Sequence, residues 1–440
     1  MSVNISDGVA NLSPEARKTE IPYAVVWFRM GAVYHNPYKG REDSIGLELD
    51  GEFVELSKKD WSDVARIHDE IDNVRAGIML SGRELMRWHR MASDLVRKQD
   101  SGTDKSIVML KDRSGAGYWR MVLPAKYLGV TSDVIIDVTS AEVEFDSLLE
   151  YDTVFVQRLH DWTSYYVLER LKKAGKKIVY DIDDDIFSLT PDNPAFHVIG
   201  RDNQIAAQEC MKLADIVTTT TSVLAQRLIQ VTEGEVTPIV MPNAMDTEGW
   251  IPTDLVGSLD EWQRIFWQGS ATHDADWEVC IEGVDAVMKE RDNVRVVILG
   301  YLPKAVQKLV NLPHWKGRIE YMGFNDAETY FQIIKHLRAE VGLAPLADTT
   351  FNHSKSPIKW MENALIGMPT VASAVQPYSD VIDDGNNGRW ASNSAEWKES
   401  IEWYLDNKKY RLDAVRESRK LISDRFDIRK VAEEWESVLI

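Results

Sequence analysis

From Ser106 onward the chain alternates short, wholly apolar runs with longer stretches whose apolar positions recur every three to four residues. A first series reads "SIVML", "VIIDV", "TVFVQ", "KIVYDI", "DIVTTT" and "TPIVM", with "WTSYYVLERLKKAG" and "NQIAAQECMKLA" between members. A second begins near Arg264 with "RIFWQG", "VRVVILG", "RIEYMG", "VGLAPL" and "PTVASA", separated by stretches such as "DWEVCIEGVDAVMKER" and "AETYFQIIKHLRAE". Strands this apolar have no face for water, so both faces must be covered, and the amphipathic stretches supply the helices that cover them. The pattern predicts an α/β protein. Two Rossmann-like parallel-sheet domains face a cleft, with ligands at the C-terminal ends of the strands.

Four segments are expected: an α+β extension over 1–104, a first Rossmann-like domain over 105–250, a second over 258–418, and a terminal helix over 419–440 packing back toward the first. The boundary falls in "NAMDTEGWIPTDLVGSLDEW", where turn formers and acidic residues replace the periodic pattern. In the extension, "YAVVWFRMGAVYHN" and "IGLELDGEFVELS" read as strands and two helices follow.

Composition narrows the picture modestly. A length of 440 residues exceeds what one core normally serves, which agrees with several domains. No run of eighteen apolar residues occurs, and the opening residues lack the apolar centre of a signal peptide. Cys210 and Cys280 have no metal-ligand spacing and read as buried thiols in a reducing compartment, so a cytoplasmic protein without membrane insertion is expected. The formal net charge of −19 opposes broad attachment to nucleic acid. Arg83, Arg87, Arg90 and Arg97 share one side of a helix, which reads as a solvated face opposite Leu85, Ala92, Leu95 and Val96.

The chemistry concentrates in "PLADTTFNHSKSPIKWMENALIGMPTVAS". Ser356 followed by Pro357 predicts a helix start, a hydroxyl cap with proline at the first helical position, and Gly367 before Pro369 predicts its end. The helix N-terminus then carries free amides and a positive dipole, with Lys355 beside it and Lys359 in the first turn. That makes a diphosphate cradle, and Glu362 can take two hydroxyls of a ribose. The same residues also describe a capped core helix with a surface lysine and glutamate.

The whole segment resembles the donor-site motif of the group 1, family 4-like glycosyltransferases of GT-B fold. Glu362, Gly367, Pro369, Val371, Ala372 and Ser373 match, and Asp384, Gly385 and Gly388 match the turn that follows. "FWQGSATHDADWE" is similar to the family's first loop in the second domain, with Gly269, Ser270 and His273 expected near the phosphates. "VVILG" and "IEYMGF" are similar to the strands bordering the nucleotide base, at Gly300, Met322 and Gly323. "KLADIVTTTTSVLAQRL" and "VMPNAMD" resemble the linker between domains. "SGAGYWRMVLPAKYL" resembles the acceptor-side loop, with Gly115, Gly117 and Arg120. The resemblance spans roughly residues 106–440, and one position departs from it. The family often has a second glutamate eight residues before Glu362, and Ser354 stands there, so sugar identity does not carry over.

"KIVYDIDDDIF" ends a first-domain strand with four aspartates. They can coordinate a divalent metal, bind or deprotonate an acceptor hydroxyl, or cap the next turn with Asp184 and Asp185 solvated. Asp183 and Asp184 are assigned to the cleft as catalytic candidates. Arg158 and His160 from "VQRLHDW" join them on the acceptor side. No metal site is assigned, because the resemblance implies that a helix dipole and basic side chains replace the ion.

The expected function is transfer of a sugar from a nucleoside diphosphate sugar, UDP-linked, to a hydroxyl acceptor with retained configuration. No cofactor beyond the donor substrate is required. Three other readings stand beside it: a DNA glycosyltransferase acting on a modified base, a nucleotide-sugar epimerase, and a non-catalytic binding or assembly protein of the same fold.

Overall fold

The computed structural model describes residues 5–6, 9–10, 24–27, 32–35, 45–49, 52–56, 107–111, 115–128, 135–137, 148–149, 151–248, 257–258, 260–323, 330, 333–334 and 337–439. The chain divides into two compact units, Met1–Gly102 with Asn325–His336, and Thr103–Phe324 with Leu337–Ile440. The first unit contains a six-stranded antiparallel sheet in sequential order: β1 (Ile5–Ser6), β2 (Val9–Ala10), β3 (Ala24–Trp27), β4 (Ala32–His35), β5 (Ile45–Leu49) and β6 (Glu52–Leu56). The two helices expected after these strands, and the arginine stripe from Arg83 to Arg97, lie outside the described residues.

The second unit has two six-stranded sheets, each parallel throughout. β7 (Ile107–Lys111), β8 (Ile135–Asp137), β9 (Thr153–Gln157), β10 (Lys177–Ile182), β11 (Ile216–Thr219) and β12 (Ile239–Val240) assemble in the order β12-β11-β10-β9-β7-β8. β13 (Gln263–Gly269), β14 (Val294–Gly300), β15 (Ile319–Met322), β16 (Val341–Ala344), β17 (Thr370–Ser373) and β18 (Arg389–Ala391) assemble as β15-β14-β13-β16-β17-β18. The apolar runs became these strands because both faces are buried, as in β9, β16 and β17, where every residue is buried. Strand order reverses between β7 and β9 in one sheet and between β13 and β16 in the other. Such switch points open a crevice at the C-terminal strand ends, where ligands bind. The architecture is GT-B-like.

The helices of this unit are α1 (Trp162–Lys173), α2 (Arg201–Leu213), α3 (Ser222–Val231), α4 (Ile281–Glu290), α5 (Ile358–Leu365), α6 (Ser394–Asp406), α7 (Lys408–Arg425) and α8 (Ile428–Leu439). Side-chain oxygens start several of them. Asp161 accepts from the Ser164 amide, Thr221 from Leu224 and Asn393 from Glu396. The terminal stretch 419–440 is not one helix. Its first part completes α7, and the chain breaks at Phe426–Asp427, where Met245 exchanges backbone hydrogen bonds with Phe426 and Ile428 before α8 begins. α8 lies on the first sheet, where Trp435 meets Phe155 of β9 edge to face at 5.5 Å. No helix among the described residues is long and apolar enough to cross a membrane.

One buried ion pair joins these parts. Helical turns over Gly115–Gly117, Tyr118–Val122 (π-helical) and Leu123–Tyr127 follow β7 and deliver Arg120 under the sheet edge. Its guanidinium meets Asp181 of β10, with Nη2 2.8 Å from Oδ1 and Nε 3.1 Å from Oδ2. Arg120 is 1 % exposed and Asp181 fully buried. Nη1 donates to the Met241 carbonyl and to Asn243 Oδ1, Thr218 donates its hydroxyl to Asp181, and the guanidinium lies 5.1 Å over the Trp435 ring. Arg120, expected on the acceptor side, is therefore committed to the interior and presents no group to a ligand. Removing one partner strands a buried charge, which typically costs about 3–5 kcal/mol, whereas replacing both with apolar residues costs far less. Arg120→Met is expected to lower stability by that order in urea titration, and the Arg120→Met/Asp181→Leu pair to recover most of it.

Candidate functional site

Glycine shapes the C-terminal end of β13, the strand that borders the second switch point. Gly300, at φ +102°, ends β14 against Gly269 at the end of β13, and a Cβ there would sit 2.4 Å from the Gly269 carbonyl oxygen. The Tyr301 amide donates to that same carbonyl at 2.8 Å. Only glycine lets the two backbones approach so closely. Ser270 follows, exposed, with its hydroxyl bonded to Thr272 at 2.7 Å. Met322 and Gly323 close β15, half-buried and exposed respectively.

α5 packs onto this edge so tightly that a Cβ on Gly342 of β16 would collide with the Asn363 amide at 2.2 Å. Every residue from Lys359 to Leu365 is buried, two of them ionisable. Charges are kept in such a place only when partnered or functional. Ser356 does not cap the helix as its position suggested. Pro357 takes the cap position without a side-chain hydrogen bond, and the Ser356 hydroxyl instead accepts from Asn243 Nδ2 at 2.8 Å. The first-turn amides are thereby left uncapped by any side chain, the condition in which a helix end receives an anion.

Lys359, 6 % exposed, points its ammonium at His273 Nε2, 2.9 Å away. His273 Nδ1 lies 2.7 Å from Asp276 Oδ2, and Asp276 Oδ1 accepts from the Ala347 amide and Asn352 Nδ2. Burial, then the neighbouring Lys359 charge, pushes the His273 pKa down to about 4, so the ring is neutral. Asp276 requires the proton on Nδ1, which leaves the Nε2 lone pair to receive Lys359. Both ring nitrogens of His273 are thus engaged by protein partners, Asp276 and Lys359. Burial and the Lys355 charge lower the Lys359 pKa to about 8. Glu362, one turn on and 3 % exposed, accepts from Gln268 Nε2 at 2.6 Å.

Lys355 reaches across to the first domain. Its ammonium lies 3.1 Å from Asp184 Oδ1 and 4.4 Å from the centre of the Phe351 ring. Arg158, at φ +52°, occupies a backbone region that costs a non-glycine residue energy, and its guanidinium spans Asp183 at 3.3 Å and Asp184 at 3.5 Å. Burial raises the Asp183 pKa to about 6 against the pull of Arg158. Burial opposes ionisation of Asp184 too, but Lys355 and Arg158 overcome it and its pKa is lowered.

The four aspartates diverge. Asp181 faces Arg120, Asp183 and Asp184 face the cleft, and Asp185 turns back to accept from the Phe187 amide, buried rather than solvated. Among the described residues no group of three or more potential ligands is arranged for a metal ion. His160 is tied to its own loop, with Nδ1 2.7 Å from the Arg158 carbonyl oxygen, and its own carbonyl accepts from Asn203. Gly115 and Gly117 open the helical turns after β7, the first exposed and the second buried. Sequence reasoning passed over Asp276, Gln268, Asn243 and Gln157. Only Asp276 left a readable signal, lying three residues after His273.

Residues 263–407 match the family model described as "Glycosyl transferases group 1". That segment is similar to group 1 glycosyltransferases. Solved structures similar to this chain show its fold. HepE of Anabaena in complex with UDP-glucose covers 76% of this chain and 98% of its own at 14% identity and TM-score 0.57. Sucrose-phosphate synthase of Thermosynechococcus elongatus matches over the same shares at 13% identity and TM-score 0.57. A glycosyltransferase of Rickettsia africae covers 77% of this chain and 98% of its own at 13% identity and TM-score 0.55. No curated protein matches in sequence.

The hydrogen-bond chain fixes one tautomer of His273. Nitrogen-15 NMR between pH 5.5 and 8 is expected to show a protonated Nδ1 and a bare Nε2 throughout; an imidazolium signal at pH 6 refutes the arrangement.

Proposed function

We propose that the protein transfers a glycosyl group from a UDP-sugar to a hydroxyl of an acceptor, with retained configuration and no metal. The convergence of Lys355, Lys359 and the uncapped start of α5 at one switch point carries this reading. When the anomeric C–O bond breaks, its electron pair passes to the diphosphate, and preorganised cations and amides stabilise the charge that develops there. Lys355 and Lys359 supply the cations, and the α5 amides, with those of Gly269 and Ser270, supply hydrogen bonds. Glu362 receives the ribose hydroxyls in exchange for, or alongside, Gln268. HepE, of the same fold, was solved with UDP-glucose, which supports the choice of nucleotide.

The departing phosphate oxygen, held beside the anomeric carbon, takes the proton of the attacking hydroxyl, so no protein base is needed. Asp183 then holds a neighbouring hydroxyl of the acceptor, and Asp184 keeps Lys355 directed into the cleft. His273 and Asp276 position Lys359. Contact between the domains excludes water that would otherwise hydrolyse the donor.

Incubation with a panel of nucleotide-sugars tests the reading, since a transferase releases UDP, an epimerase interconverts sugars, and a binding module does neither. Lys355→Ala is expected to lower kcat by about 10²- to 10³-fold, the usual effect of losing one preorganised charge-stabilising group. Below about pH 8 Lys359 is charged, and above about pH 6 Asp183 is ionised, so kcat/KM is expected to be bell-shaped with limbs near those values. Lys359→Arg should abolish the alkaline limb and Asp183→Asn the acidic one. A profile unchanged by both substitutions refutes the assignments.

A further inference from the structure

Gln157 ends β9 at the first sheet's switch point, beside β7, where a crevice opens. It is 3 % exposed, and neither its amide oxygen nor its amide nitrogen has a hydrogen-bond partner. Leaving both ends of a buried amide unpaired is costly, and such groups are rare in folded proteins. Gln157 pairs in register with Asp181, so the two side chains leave the sheet on the same face, the one that receives Arg120 from the turns beginning at Gly115.

Two residues beyond Asp181, directly after the end of β10 and so at the same strand end as Gln157 of β9, stands Asp183. Its Oδ1 is buried, and Arg158 Nε approaches it at 3.3 Å without the alignment of a hydrogen bond. The ends of two adjacent strands thus present an amide with one donor and one acceptor unused, and a carboxylate oxygen with its acceptor unused.

We infer that Gln157 and Asp183 form the subsite that binds the acceptor, and that the acceptor is a neutral, hydroxyl-rich molecule of the sugar class rather than a phosphate-bearing one. A hydroxyl both donates and accepts, so adjacent hydroxyls satisfy the amide oxygen, the amide nitrogen and the carboxylate together. A phosphate only accepts. It would leave the Gln157 oxygen unpaired and meet the Asp183 carboxylate, which only Arg158 faces among the ion pairs of the described residues, while Lys355 is engaged by Asp184. The nucleic-acid alternative is disfavoured on the same ground. This inference rests on the proposed function for its placement opposite a donor, but its test does not depend on that donor.

Methyl α-D-glucopyranoside, glucose 6-phosphate and a short DNA duplex are titrated against wild type and Gln157→Leu, with and without UDP. Saturation-transfer NMR reads the sugars, fluorescence anisotropy the DNA and calorimetry the UDP. The neutral glycoside is expected to bind wild type better than either phosphate-bearing probe. In Gln157→Leu its affinity should fall about tenfold or more, as expected for losing hydrogen bonds at a buried site. UDP affinity should stay unchanged, and thermal stability should be equal or higher, because an unpaired buried amide contributes nothing to folding. The inference is overturned if wild type does not bind the glycoside or prefers glucose 6-phosphate or DNA. It is equally overturned if Gln157→Leu binds as wild type does or is destabilised. Failure of UDP to bind in either protein, with glycoside binding intact, counts against the donor assignment alone.

Discussion

The Arg120–Asp181 pair is the contact on which the second unit depends. It joins the turns after β7, the centre of the first sheet, the exit from β12 and, through the Trp435 ring, the last helix of the chain. Its influence crosses to the other sheet through one side chain. Asn243 gives its oxygen to Arg120, so its amide nitrogen is the end that donates to Ser356. Thr221 adds a second crossing, donating to the Ser354 carbonyl at 2.9 Å. The two bonds flank Lys355. The residue that reaches over the cleft is thus held in place from the side it reaches toward.

Both sheets place their unsatisfied chemistry at the reversal of strand order, and each does so differently. The second sheet gathers cations, amides and a buried carboxylate around two touching glycines, a surface suited to a diphosphate and a ribose. The first gathers acceptor oxygens and an amide, with its one buried cation already consumed by Asp181. On the proposed function, the difference in charge between the two walls, rather than any single residue, would sort donor from acceptor.

Much of the fold was legible because strands buried on both faces, such as β9, β16 and β17, leave an unbroken apolar signature. Eleven apolar runs were read from "SIVML" to "PTVASA", although β12 is exposed and β15 only partly buried. β18 escaped because it has three residues, Arg389–Ala391, following a glycine-rich turn. Lys359 and Glu362 could be placed on one helix, with Lys355 just before it, because that spacing is local. Ser356 misled, since capping is decided by φ/ψ and by competing partners, and Asn243 lies 113 residues away. Arg120 misled for the same reason: a guanidinium three residues after a glycine looks like a ligand-binding group until Asp181 is found beneath it. Gln157 had no sequence signal, because an unpaired buried amide is defined only by what surrounds it.

The lysines of the cleft already have partners before any ligand arrives, Lys355 with Asp184 and Lys359 with a neutral imidazole backed by Asp276. A diphosphate bound as proposed would therefore enter by ion exchange, displacing or sharing carboxylate contacts, rather than by quenching bare positive charge. Such an exchange changes local charge less than binding to an unscreened cationic pocket would, and its equilibrium is correspondingly less sensitive to dissolved salt. It also gives the empty cleft a resting form in which its own carboxylates occupy the place of the substrate.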